Sequence, residues 1–338
     1  MAERLADHTT LRLGGPANEW VRATTEDEVV AAVQRADAAG RPVLLLGGGS
    51  NLVVADDGFP GLVVEIATEG VQVEGDACGG ASVTVAAGEG WDRFVTRAVA
   101  EEWVGVEALS GIPGLVGATP IQNVGAYGQE VAETIARVRT WDRVSGAIRT
   151  FAAAECGFGY RSSRFKSDPT RFVVLSVAFQ LRFGDLGAPV RYAELARALG
   201  VEVGRRAPLD EVRSAVLSLR AGKGMVLDDA DPDTWSAGSF FTNPFVTPEG
   251  LPEGAPAWEQ PDGRVKTSAA WLIEHAGFSK GYGTGRVSLS TKHTLALTNR
   301  GGASTAELLG LAAEVRDGVR ERYGVTLVNE PVLVGCTL

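Results

Sequence analysis

Three side chains in this sequence could do acid–base or anion chemistry from irregular segments: Arg161, Ser239 and Glu330. Arg161 ends Cys156-Gly-Phe-Gly-Tyr-Arg161 and is followed by Ser-Ser-Arg-Phe-Lys166, which puts three cations and three aromatics in a glycine-bearing turn. A guanidinium there offers bidentate geometry to a carboxylate or phosphate; the same composition also describes a solvated turn with aromatic anchors. Ser239 lies in an apolar turn, Ser236-Ala-Gly-Ser-Phe-Phe-Thr-Asn-Pro244, where a hydroxyl needs a partner. It can be an acid or a satisfied structural serine. Glu330 in Asn329-Glu-Pro331 sits between two short apolar runs and reads equally as a surface carboxylate.

Two further stretches suggest how a ligand could be held. The run Pro42-Val-Leu-Leu-Leu46 reads as a buried strand leading into Gly47-Gly48-Gly49-Ser50-Asn51, whose successive N–H groups can turn toward one anion. It is not GxGxxG, and residues 52–54 do not start a helix, which disfavours a classical dinucleotide fold. The second stretch, residues 110–128, contains five glycines and two prolines, with no charge between Glu107 and Glu130. A membrane helix needs about 20 unbroken apolar residues, and a core strand or helix does not tolerate these breakers. The stretch is therefore expected to be buried and irregular, with backbone groups seeking partners outside regular ladders. A flavin ring with its pyrophosphate would supply them; so would a tightly packed inter-domain connection.

Other chemistries lose support. His8, His275 and His293 share no metal spacing, HExxH is absent, and Gly222-Lys223-Gly224 lacks the rest of a P-loop. No Gly-x-Ser-x-Gly elbow occurs. No metal site is expected. The net charge of −10, from 32 basic and 42 acidic residues, argues against a partner recognised through its phosphate backbone and against attraction to a membrane surface. Cys78, Cys156 and Cys336 are odd in number and unpaired in spacing, which fits a reducing compartment. The first residues lack the apolar core of a signal peptide, so a cytoplasmic protein is expected.

With 338 residues, 45% hydrophobic and 22% charged, the chain can bury two or three cores. Residues 19–23 read as a strand, and Thr25-Glu-Asp-Glu28 as a capping box opening a helix with Val29, Val30, Val33 and Ala36 on one face. With strands at 42–46 and 62–66, these form a small β-α-β-β unit. Strands are expected at 82–87, 135–141, 147–151 and 172–183, and helices at 91–102, 192–199 and 209–220. Residues 248–262, with four of the 15 prolines, should be surface loop. A short helix is expected at 268–276, a second capping box at Ser304-Thr-Ala-Glu307 opening a helix to about 323, and final strands at 325–328 and 332–334.

Six segments in order closely resemble the UDP-N-acetylenolpyruvoylglucosamine reductases, flavoenzymes of bacterial peptidoglycan precursor synthesis. They are Leu46-Gly-Gly-Gly-Ser-Asn51, Ile112-Pro-Gly through Pro120-Ile-Gln-Asn-Val-Gly-Ala-Tyr-Gly128, Glu155-Cys-Gly-Phe-Gly-Tyr-Arg161, Gly238-Ser-Phe-Phe-Thr-Asn-Pro244, Val265-Lys-Thr-Ser-Ala-Ala-Trp-Leu-Ile273 and Asn329-Glu-Pro331. The resemblance runs from about residue 9 to 335 and implies an α+β protein. Its FAD-binding unit would be of the vanillyl-alcohol-oxidase type, with subdomains 1–67 and 68–213 and a substrate-binding domain, 214–338.

Several roles follow from that resemblance. Non-covalent FAD would be held by Gly47, Gly48, Gly49, Ser50 and Asn51 at its pyrophosphate. Ile112, Pro113, Gly114, Gly117, Ala118, Thr119, Gln122, Asn123, Gly125, Ala126 and Tyr127 would wrap the ring and ribityl chain. NADPH would supply the hydride that reaches the enolpyruvyl β-carbon of the UDP-sugar. Arg161 and Glu330 would bracket the substrate carboxylate, Glu330 protonated or bridging, and Ser239 would protonate the α-carbon. Tyr160, Tyr192, Lys223 and Asn243 would contact substrate; Tyr192 and Lys223 place the chain in the subgroup with an extra tyrosine loop. Thr242 stands where many relatives carry lysine, and His293 is a further candidate contact at the uridine. A monomer without nucleic-acid or membrane partners is expected. Two rival readings are another FAD-dependent oxidase or dehydrogenase on the same scaffold and a non-enzymatic flavin binder. Between His8 and His275 no histidine is available for covalent flavin attachment.

Overall fold

The computed structural model describes residues 3–76 and 79–338; Cys78 lies outside the described residues. The chain divides into two compact units. The 18–221 unit comprises Asn18–Gly48 and Pro60–Ala221, and the terminal unit comprises Met1–Ala17, Gly49–Phe59 and Gly222–Leu338. Strand pairing is mostly antiparallel and the helices are interspersed without a doubly wound parallel sheet, so the class is α+β as expected.

In the 18–221 unit, Val43–Leu46 pairs parallel to Phe59–Ile66 in a three-stranded sheet completed by Ala17–Ala23. The helix Glu26–Ala38 covers it with Val29, Ala32, Val33 and Ala36, the spacing of one helical face. Its start differs from a reciprocal capping box. The Thr25 hydroxyl accepts from the Glu28 N–H, but the Glu28 carboxylate reaches one residue further back, to the N–H and hydroxyl of Thr24. The larger sheet is built on the twelve-residue strand Phe172–Phe183, flanked by Ile135–Asp142 and Gly80–Ala86. Ala147–Ala152 and Val71–Asp76 form its outer strands. The helix Trp91–Ala100 packs Trp91 and Phe94 against Phe179, with the Phe94 and Phe179 rings stacked at 5.0 Å.

That helix also holds residues 110–128. The Trp91 N–H donates to the Gly114 carbonyl and its indole to the Leu109 carbonyl, both at 3.0 Å, while Asp92 accepts from the Gly111 N–H at 2.6 Å. Just upstream, the Glu89 and Ala87 carbonyls accept from Val116 and Gly117 at 2.8 and 2.9 Å. A Cβ on Gly117 would lie 2.5 Å from that of Ala87, so only glycine lets these passages approach. The stretch is irregular as expected but less buried. Ser110, Val116, Thr119 and Asn123 are buried, Gly111 to Leu115 are half-buried, and Ala118, Ile121 and Gly128 are exposed.

In the terminal unit the helix Thr305–Tyr323 buries Leu308, Leu311, Ala312, Val315 and Val319 against Ala269–His275 and the Val287–Leu289/Leu297–Asn299 hairpin. Its capping box forms, the Ser304 hydroxyl accepting from the Glu307 N–H while the Glu307 carboxylate accepts from the Ser304 N–H. Leu52–Val54 lies outside the first sheet and pairs parallel to Val332–Val334, while the expected β-α-β-β unit forms, its three strands sharing that first sheet. Residues 325–328 form no strand. The Val328 carbonyl accepts from the N–H and hydroxyl of Thr242, and the isolated bridge beside it falls at Asn329, opposite Phe241. Within the expected surface loop, Ala257–Glu259 is an exposed edge strand, and the prolines of the loop lie outside it. Among the described residues no helix is long and apolar enough to cross a membrane.

One buried carboxylate joins three passages of the 18–221 unit. Glu107, 1% exposed, accepts from the N–H of Gly105 at 2.7 Å, the N–H of Ala188 at 2.6 Å and the side-chain amide of Gln129 at 2.8 Å. Gln129 returns an acceptor to the Ala108 N–H. Glu107→Ala orphans these donors at once and should cost on the order of 3 kcal/mol or more in urea unfolding, with Glu107→Gln losing less. An unchanged unfolding midpoint in the alanine variant would remove Glu107 from this role.

Candidate active site

Arg161 is held in the 18–221 unit by the stretch it was expected to work beside. Its guanidinium donates to the Gly125 carbonyl at 2.7 Å and to the Asn123 carbonyl at 3.5 Å, with the Tyr160 ring 5.4 Å away. The backbone is strained on both sides of this contact. Asn123, Tyr127 and Arg161 have φ of 47°, 49° and 50°, among five non-glycine residues with positive φ in the described chain. The Asn123 side chain turns inward, donating to Glu130 at 2.7 Å and the Gly159 carbonyl at 3.1 Å and accepting from the Ala132 N–H. Ser163 caps the short helix Arg164–Ser167 while its hydroxyl donates to the Ile121 carbonyl. Residues 121–125 and 159–163 are thus tied together at both ends of the Arg161 turn.

The two glycine-bearing segments meet in the same unit. A Cβ on Gly48 would sit 2.8 Å from the Cα of Gly114. Beyond them, the Tyr127 and Tyr192 rings pack edge to face at 5.7 Å, and Tyr192 is 48% exposed. Arg191 adds an ion pair to Glu133 at 2.6 Å, so the loop carrying Tyr192 is docked on the turn carrying Tyr127. Burial pushes the Tyr127 hydroxyl up to about 12. Asp92 anchors Gly111 while taking a bidentate pair from Arg213 at 2.7 and 2.8 Å. Burial raises its carboxyl, but Arg213 and the Gly111 N–H outweigh that and hold it below the usual range.

The terminal unit brings the Ser239 and Glu330 segments together across 91 positions of sequence, 330 minus 239. The Glu330 N–H donates to the Phe240 carbonyl at 2.8 Å, Phe241 bridges Asn329, and the Thr242 N–H donates to the Val328 carbonyl at 3.0 Å. Phe240 and Phe241 are buried, leaving Ser239, Thr242 and Glu330 half-buried beside them. Thr242 also spends its hydroxyl on the Val328 carbonyl at 3.3 Å. Asn243 accepts from the Ala269 N–H at 3.0 Å with its side-chain oxygen. Lys223 and His293 are half-buried in this unit, and the His293 carbonyl accepts from Ala296. Residues 49–51 join the group: Asn51 accepts from the Val332 N–H at 2.9 Å and its amide donates to the Glu330 carbonyl at 3.4 Å. A Cβ on Gly49 would meet the His8 carbonyl at 1.9 Å.

The geometry coincides with two family models. Residues 18–152 match the FAD binding domain, and residues 231–334 match the C-terminal domain of UDP-N-acetylenolpyruvoylglucosamine reductase. The enzyme of that name from Cutibacterium acnes is 63% identical over 337 residues, covering 99% of this chain and 90% of that one. Its counterpart from Streptomyces coelicolor is 58% identical, with the same coverage. The crystal structure of UDP-N-acetylenolpyruvylglucosamine reductase from Thermus caldophilus superposes with a TM-score of 0.67 at 27% identity, covering 99% of both chains. The chain belongs to the UDP-N-acetylenolpyruvoylglucosamine reductase family. It is a flavoprotein oxidoreductase of cell-wall synthesis.

The residues present fit FAD. Gly48 and Gly114, from the two segments that the family resemblance assigns to the flavin, are in contact, with no room for a methyl group between them. The half-buried backbone of residues 111–115 begins at that contact. Sequence reading missed Asp92, Glu107 and Ser163. Each acts through a backbone partner 19 to 81 positions away, for which no local pattern exists. Gly48→Ala should lower FAD retention at least about tenfold while leaving the circular dichroism of the protein unchanged. A fully loaded yellow alanine variant would separate this contact from flavin binding.

Proposed function

We propose that this chain reduces UDP-N-acetylglucosamine enolpyruvate to UDP-N-acetylmuramate with NADPH as hydride donor, acting as a cytoplasmic monomer. The observation that carries the reading is the hydrogen bond joining the Ser239 and Glu330 segments, Glu330 N–H to Phe240 carbonyl at 2.8 Å. It supports a proton donor and a carboxyl group acting on one small substrate.

FAD, when bound, supplies the transfer of hydride between the nicotinamide and the enolpyruvyl β-carbon. Gly47, Gly48, Gly49, Ser50 and Asn51 would hold its pyrophosphate, and residues 112–127 would hold its ring and ribityl chain. Arrival of hydride at the β-carbon places negative charge on the α-carbon and the carboxylate beside it. Arg161 stabilises that charge, pre-oriented by the Gly125 carbonyl so that little reorganisation remains during reaction. Glu330 bridges to the carboxylate through a shared proton. Ser239 gives its hydroxyl proton to the α-carbon and regains one from solvent, completing the saturated lactyl group. Tyr160, Tyr192, Lys223 and Asn243 bind the UDP-sugar, Tyr192 and Lys223 at the diphosphate. The division into regions 1–67, 68–213 and 214–338 belongs to the same reading.

The decisive experiment follows flavin absorbance under anaerobic conditions. NADPH should bleach the yellow protein, and the enolpyruvyl UDP-sugar should restore the colour. Bleaching without recovery would retain the flavin and reject the substrate. Ser239→Ala should bleach at a rate within about twofold of wild type and recover at least about a hundredfold more slowly. Equal loss in both half-reactions would take Ser239 out of the acid role.

A further inference from the structure

We propose that Thr10 is a positioning residue for proton delivery, coupling the glycine loop that holds the flavin pyrophosphate to the Ser239 turn. The inference rests on the reading of Ser239 as acid. Within the terminal unit, the Thr10 N–H donates to the Gly49 carbonyl at 3.2 Å, and its hydroxyl donates to the Ser236 carbonyl at 2.7 Å. One residue thereby spans two loops separated by 187 positions, 236 minus 49, its backbone N–H on one and its hydroxyl on the other.

Neither end of this link has slack. At Gly49, φ is 59° and a Cβ would collide with the His8 carbonyl at 1.9 Å, so the loop lies directly on residues 8–10. At the other end Ser236 is 5% exposed, and its hydroxyl accepts at 3.2 Å from the N–H of Gly238, the residue immediately preceding Ser239. The Phe240 N–H, on the far side of Ser239, is fixed to the Leu295 carbonyl at 2.7 Å. Ser239 therefore sits in a short turn pinned at both ends, and the Thr10 hydroxyl is the pin that leads to the glycine loop. Asn51 makes a parallel connection from the same loop to Glu330. Pyrophosphate seated on residues 47–51 thus sets the placement of the acid through hydrogen bonds already formed.

Thr10→Val keeps the shape of the side chain and deletes the donor; Thr10→Ser restores the donor. In the holoenzyme, Thr10→Val should retain FAD and bleach with NADPH within about twofold of wild type, while recovery with the enolpyruvyl UDP-sugar slows at least about tenfold. Hydrogen–deuterium exchange of peptides covering 236–242 should accelerate in the same variant, and Thr10→Ser should reverse both effects. Wild-type recovery in Thr10→Val, equal slowing of both half-reactions, or a serine variant as impaired as valine would each overturn the proposal. Ser239→Ala measured alongside separates the two readings. If it recovers normally, the acid assignment fails; if it is slow while Thr10→Val is normal, only the coupling fails.

Discussion

An irregular chain must satisfy its backbone polar groups without a ladder, and in this protein that demand falls on the entry to one helix. Residues 87–92 meet the passage from Leu109 to Gly117 with two carbonyls, a backbone N–H, an indole and a carboxylate. The helix itself is secured by aromatic packing on the large sheet. Rigidity is thus carried from the sheet into a segment with almost no regular structure. The segment passes it on to Arg161 through the carbonyls of Asn123 and Gly125. A flexible cation would have to be ordered when an anion arrives; this one is already ordered by backbone carbonyls.

The terminal unit solves a related problem with less material. Ser239 and Glu330 lie on passages that never form a sheet, so their spacing depends on a few hydrogen bonds over a floor made by Phe240 and Phe241. A full ladder there would direct alternate side chains to opposite faces. An isolated bridge between Phe241 and Asn329 instead leaves half-buried polar groups next to two buried rings.

Periodic features were legible in the sequence. The helical faces of Glu26–Ala38 and Thr305–Tyr323, the Ser304 box and the long strand Phe172–Phe183 each follow from local spacing and self-contained patterns. Partnerships were not. Leu52–Val54 follows Val43–Leu46 closely in sequence, yet its partner is Val332–Val334, 280 positions away, 332 minus 52. Residues 325–328 have a strand's composition, yet they form no strand and the nearest bridge is the isolated one at Asn329. Glu28 has the correct spacing for a reciprocal box, and Thr24 offers its carboxylate two donors instead of one. Within the site, residue types alone left Arg161, Ser239 and Glu330 ambiguous; resemblance in six ordered segments singled them out. Glu107, Asp92 and Thr10 carry no local signal, because what they do is defined by the passage each one touches.

The pairing of Leu52–Val54 with Val332–Val334 also has a consequence for biosynthesis. A chain emerging from the ribosome has most of the 18–221 unit available long before its end appears, and domains generally fold as units in that order. The terminal unit draws on residues 49–59 and on 222–338, so it cannot close until the strand Val332–Val334 has emerged. Its contacts are among the most distant in sequence that the molecule makes, which slows their formation. During that interval the edge of Leu52–Val54 lacks its partner and the Glu330 passage does not exist. The Glu330 segment therefore joins the Ser239 segment late in folding, after much of the 18–221 unit has become available.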